Sequence, residues 1–212
     1  MGNGGQGETS STIGYPSNRR LGLASIGAIT GGSLLALDNI WQGYLDVTPG
    51  NDGILHDVTH YAYYLNNSML FLAMCGLLLG LYGLHNRVTA ANAGFMWRTG
   101  VFLSGIGQGS FAIGALAFIL HGFFGFKSFM DLVNLAAGIG NIVMYLGALP
   151  LGLVLRRRND FPRIAAMLFL LTVPAVAVAM IVIYSINPLV GGLLSGGLYG
   201  LAWIMSGFYL KK

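Results

Sequence analysis

The sequence predicts an all-α membrane protein: six transmembrane helices joined by short loops, with both termini in the cytoplasm. Three observations predict it. Of 212 residues, 55% are hydrophobic and only 8% are charged, whereas an ordinary soluble domain carries roughly 25% charged residues. A soluble fold of this size has too little interior for so much apolar surface. Second, the apolar residues fall into runs of about 20, the length a helix needs to cross a bilayer: about Leu21–Leu45, Tyr64–His85, Trp97–His121, Asp131–Leu155, Arg163–Ser185 and Pro188–Leu210. Third, with the N-terminus inside, ten of the eleven basic residues lie on the inner side, and Lys127 alone falls outside. That is the asymmetry of the positive-inside rule. Asp46, Asp52, Asp57 and Asp131 face outward, while Glu8 and Asp160 face inward. The net charge of +4 is therefore a topology signal and a contact for lipid headgroups, and it requires no nucleic acid.

Residues 1–18, rich in Gly, Ser and Thr, read as a flexible cytoplasmic tail. Gln6 stands where a myristoylation signal wants Ser or Thr, and nothing before Leu21 is apolar enough for a cleaved leader. Residues 19–212 form the bundle. The first span holds Gly27-xxx-Gly31 and three polar residues, Asp38, Asn39 and Gln42. An aspartate in a span is costly and marks a functional candidate.

The largest outer segment follows, Asp46–Tyr63. Asn51 or Asp52 suits a helix cap, and from Ile54 the apolar positions Ile54, Leu55, Val58, Tyr61, Ala62 and Leu65 show helical periodicity. The spacing predicts one long helix over 54–86, or an amphipathic segment at about 52–63 bent into the second span. Cys75 reads as a small core residue. Gly76–Arg87 (GLLLGLYGLHNR) and Gly147–Arg158 (GALPLGLVLRRR) end their spans alike, an echo that fits either duplicated hairpins or chance.

The third span carries Gly105-xxx-Gly109, Ser104 and Gln108, and closes on His121. In the fourth, Asp131, Asn134, Asn141 and Tyr145 recur at helical-turn offsets. With Gln108 they make a polar stripe, either a solute or proton pathway or a set of interhelical hydrogen bonds. The fifth and sixth spans meet in a tight turn at Ser185–Pro188, and Gly192, Gly196 and Gly200 give the last span a flat stripe for close packing, expected within the chain.

Chemistry concentrates at "HDVTH", residues 56–60. Two histidines four apart on a helix face one way and can share an ion. His121 reaches the same outer level and adds a third imidazole; Asp57 or Asp38 adds a carboxylate. Such a set suits Zn or Cu. His60 with His121 offers axial ligands for haem b among Tyr61, Tyr63, Tyr64, Phe118, Phe123 and Phe124. The plain alternative is two solvated histidines near headgroups. His85 stands apart, about 37 Å from His60 along a helix, as an inner interfacial anchor.

Leu77–His85 and Leu155–Leu171 (LRRRNDFPRIAAMLFLL) resemble a pattern in small prokaryotic multi-span membrane proteins of uncharacterised function. The resemblance implies a helical bundle in a prokaryotic plasma membrane. The outer His/Asp set is similar to that of the seven-span zinc hydrolases related to alkaline ceramidases, which implies His56, His60, His121 and Asp57 or Asp38 as ligands with Ser68 beside them. Here there are six spans, and the histidine pair precedes the second. Asp52-xxx-His56 is similar to the start of the copper site in membrane subunits of bacterial and archaeal monooxygenases; no histidine follows at the longer spacing of that family.

Three function classes fit these features. The leading expectation is an accessory or structural subunit packed against other membrane subunits or a second copy of itself. A metal- or haem-binding protein with an outer site is the alternative. A small-solute or proton transporter, resting on the polar stripe and Asp38, is the third.

Overall fold

A computed structural model describes residues 18–51, 53–89, 94–125, 128–183 and 186–212. The amino-terminal tail, Asp52, Lys127 and Ser185 lie outside the described residues. Six helices are long and apolar enough to cross a membrane: α1 (Asn18–Val47), α2 (Tyr61–Thr89), α3 (Phe95–Phe124), α4 (Met130–Arg156), α5 (Arg163–Val178) continued by a π-helical Ala179–Ile183, and a sixth span built of α6 (Pro188–Gly192), a π-helical Leu193–Gly197 and α7 (Leu198–Lys211). An even number of spans puts residues 18 and 212 at one end, called here the terminal end. The opposite, distal end is the one the charge pattern assigns to the outside.

α1 is the post of the bundle. One face carries Gly27 and Gly31, and a Cβ at Gly31 would stand 2.7 Å from the Ala73 carbonyl oxygen and the Leu77 nitrogen of α2. Its other face carries Gly32 and Gly43, which meet Gly200 and Leu189 of the sixth span at backbone distance. Ser25 Oγ adds a hydrogen bond to the Gly207 carbonyl at 2.7 Å. In lipid, where apolar burial drives little, such close backbone approach supplies the dispersion contact that holds helices together.

A second hairpin, α3 with α4, closes the same way. Gly107 lies against Gly140 and Met144, and Gly147 against Ser104. The echoed glycines therefore do matching work: Gly76 packs on α1 within the first hairpin and Gly147 on α3 within the second. The third-span pair differs from its neighbours. Gly105 meets only Leu81 at 3.6 Å and Gly109 meets nothing within 4 Å. The outward stripe of α4 (Leu132, Leu135, Ile139, Ile142, Leu146, Leu149) is exposed, as a lipid-facing surface should be.

The terminal end is tied by polar contacts. Arg158 grips Asp160 through two hydrogen bonds of 2.9 and 3.0 Å, and the Tyr209 hydroxyl donates to the same carboxylate at 2.6 Å. Arg87 donates to the Tyr209 carbonyl at 2.7 Å and lies 4.1 Å over its ring. His85, expected as an interfacial anchor, accepts a hydrogen bond from Trp97 Nε1 at 3.3 Å. The Arg158 bonds, joined by Tyr209, hold the Asp160 carboxyl down to about 2.

Gly31→Val should destabilise the purified protein by about 2 kcal/mol or more through overpacking, while Gly109→Ala should leave thermal unfolding in detergent unchanged or slightly improved. Because Asp160 ionises more readily folded than unfolded, its contribution is present above about pH 4 and is lost as pH falls toward 2. The stability gap between wild type and Asp160→Asn, measured across that window, should shrink steadily to nothing.

Candidate functional site

The distal end is where polar side chains gather. Between Val47 and Tyr61 the chain runs as linked turns, with Gly50 and Gly53 at φ of 86° and 78°, a region glycine enters without Cβ strain. The expected helix from Ile54 is absent; α2 begins at Tyr61. Its late start has a local cause. Asp57 Oδ1 accepts from the Thr59 nitrogen at 2.8 Å and the Thr59 hydroxyl at 2.7 Å, a side-chain turn that competes with helix. Those two bonds hold the Asp57 carboxyl below its usual range. His60 Nδ1 then accepts from the Ala62 nitrogen at 3.1 Å and so caps α2.

The histidine pair is thus not one helical turn apart on a shared face. His56 is exposed in a turn, whereas His60 is a helix cap whose ring rests 4.5 Å from that of Tyr61. Among the described residues no three His, Cys, Asp or Glu side chains come close enough to hold a metal ion. His56 and His121 border the same cavity; His60, Asp57, Asp38 and Ser68 do not. The Asp52 half of the copper-like spacing lies outside the described residues.

That cavity, about 530 Å³, is the feature the sequence did not announce. It opens at the distal end among α1, α2, α3, α4, Asn51 and the turns at 53–58. Asp46, Asn51, His56 and Asn134 stand at its rim. Tyr63, Leu70, Phe111 and Phe118 form apolar walls, and Gln42, Asn66, Asn67 and His121 supply polar groups inside. Tyr63 fixes one wall by donating its hydroxyl to the Phe118 carbonyl at 2.7 Å. Asn67 is steadied by donating to the Tyr63 carbonyl at 2.8 Å.

Beneath lies Asp38, 0% exposed. Its Oδ2 accepts from Gln42 Nε2 at 2.7 Å, and Gln42 lines the cavity. The α1–α2 register, with Ala24 against Gly83, Ala28 against Gly80 and Gly31 against Gly76, carries Asp38 to the level of Asn66–Leu70. Asp38 Oδ1, Asn66 Oδ1 and His121 Nδ1 are all buried without a hydrogen-bond partner in the protein. Most buried polar atoms are satisfied; of these three residues, Asn66 and His121 line the cavity and Asp38 reaches it through Gln42.

The polar stripe divides along its length. Asp131 is exposed and Asn134 borders the cavity, while Asn141 buries an unpartnered Oδ1 deeper in α4. Gln108 is fully buried and donates to the Tyr199 hydroxyl at 3.0 Å, with the Tyr145 ring edge-on to Tyr199 at 5.4 Å. Asn66 was missed by periodicity. The signal was the adjacent amide pair Asn66-Asn67 where a span opens, since two amides there require partners other than lipid.

No family model, curated protein or solved structure matches the chain.

With its histidines apart, the HDVTH segment is expected to hold zinc no better than a variant lacking them. Calorimetric titration of wild type and of the His56→Ala/His60→Ala double variant should give the same weak isotherm. A tight one-to-one site abolished in the variant would reverse this assignment.

Proposed function

We propose that this multi-pass membrane protein is a small-solute carrier, taking its ligand from the outer side of a prokaryotic plasma membrane into the cavity above Asp38. The observation that carries this reading is the cavity itself: it is open at one end and lined in near-equal share by apolar and polar side chains, among them Asn66 and His121, each of which also buries a polar atom without a protein partner. Concave, mostly apolar sites with a few convergent polar groups are the usual form of small-molecule sites.

A second observation supports movement as well as binding. At the depth of Asp38 the sixth span leaves α-helical geometry, and Asn39 packs against Gly192, which precedes that π-helical stretch, and Gly196, which lies within it. The fifth span ends in another such stretch at Ala179–Ile183. Interrupted helices beside a binding residue are a recurrent feature of carriers, and π segments favour functional sites.

The glycine stripes of α1 and the sixth span are taken up within the chain, against α2 and against each other, so they offer no free face to a partner subunit. The metal reading lacks a gathered set of three ligating side chains among the described residues.

A panel of small polar solutes, tested by thermal shift on the purified chain, measures the proposal. A ligand raises the apparent stability in proportion to the logarithm of its concentration above Kd. At least one solute class should do so for wild type and fail for Asn66→Trp, whose ring fills the cavity. If no class stabilises wild type, and the filled variant behaves identically throughout, the carrier reading is wrong.

A further inference from the structure

We infer that the cavity selects a small organic cation, an ammonium group carried on a compact apolar body; this rests on the carrier reading above and names its substrate class. Charge and wall chemistry both favour such a guest. Asp46 stands at the rim and Asp38 lies below the floor, while the described lining contains no Lys or Arg. Asp38 has no basic partner either, since the one ion pair among the described residues joins Arg158 to Asp160 at the far end of the bundle. The Asp46 carboxylate at the mouth gives the cavity a negative potential, and Asp38 beneath it is a polar group with no counter-charge.

The walls add a second preference. Tyr63, Phe111 and Phe118 come from two different helices and face one space, and aromatic faces attract cations most strongly where water is displaced. Beside them, Leu70 offers apolar contact for a hydrocarbon body. Asn66 and Asn67 bring amide groups to the lining, which suit a guest that also carries an N–H or O–H. A neutral polyol would satisfy the amides yet leave the aromatic walls and the Asp46 carboxylate unused. An anion would meet negative charge with no guanidinium or ammonium to receive it.

The experiment uses the full-length protein in detergent, with choline as the cation and dimethylbutanol, its uncharged carbon isostere, as the control. Calorimetry should find choline bound about tenfold or more tightly than the isostere. Phe118→Leu, which keeps the backbone carbonyl used by Tyr63, should weaken choline by about 3- to 30-fold and leave the isostere nearly unchanged. Asp46→Asn, at an exposed position that does not endanger folding, should weaken choline by about threefold at low salt and less at high salt. Equal binding of the two probes, or equal losses for both in the variants, overturns the cation assignment while the carrier reading stands. The cation assignment also falls, alone, if neither probe binds but another polar solute stabilises the wild type and not Asn66→Trp. If no solute of any class is bound, the carrier reading and the cation assignment fail together.

Discussion

Backbone-to-backbone contact along α1 is the constraint on which the rest of this structure depends. Two glycine faces on one helix let α2 and the sixth span close on it from different sides, at separations no other residue permits. Lipid supplies no partner for a polar group, so this tight core is also what makes it possible to hold Asp38 inside. The carboxylate is one turn below Gln42 and continues the face that Gly27 and Gly31 begin. Its burial is a by-product of the same packing that seals the hairpin.

The cavity arises where that packing ends. Towards the distal end α1 has no glycine facing α2 beyond Gly31, and Gln42 and the Asn66–Asn67 pair separate the helices in its place. The α3–α4 hairpin leans in with Phe111, Phe118 and Asn134, and the turns at 53–58 line one side. Dense small-residue contact below and bulky polar contact above give a bundle that is closed at mid-depth and open at one end. The cavity is therefore a consequence of how residue sizes are distributed along α1 and α2.

Most of the architecture was legible in the sequence, and the site was not. Six spans, their approximate limits and the intrachain role of the glycine stripes of α1 and the sixth span follow from run length and spacing, because a bilayer enforces both; the Gly105–Gly109 pair has the spacing without the contact. Asp38 was singled out on cost alone, and it proved to be fully buried, linked to the cavity through Gln42. The helix start at Ile54 was misread because periodicity cannot see Asp57 binding Thr59, a bond between neighbours that redirects the chain. The histidines looked like a pair only while that helix was assumed. Which residues of α1, α2, α3 and α4 converge depends on helix neighbours and rotation, and no linear spacing encodes those.

The two sides of α1 have very different histories during synthesis. α2 emerges directly after it and can fill the first glycine face at once. The second face must wait for a segment some 180 residues later, as the bond from Ser25 to Gly207 makes plain. Until the last helix enters the membrane, the post of the bundle stands half bare, and contacts so distant in sequence form late. The carboxyl-terminal helix is thus the keystone of assembly: a chain halted before Leu198 would hold most of the residues around the cavity and lack the element that locks them in place.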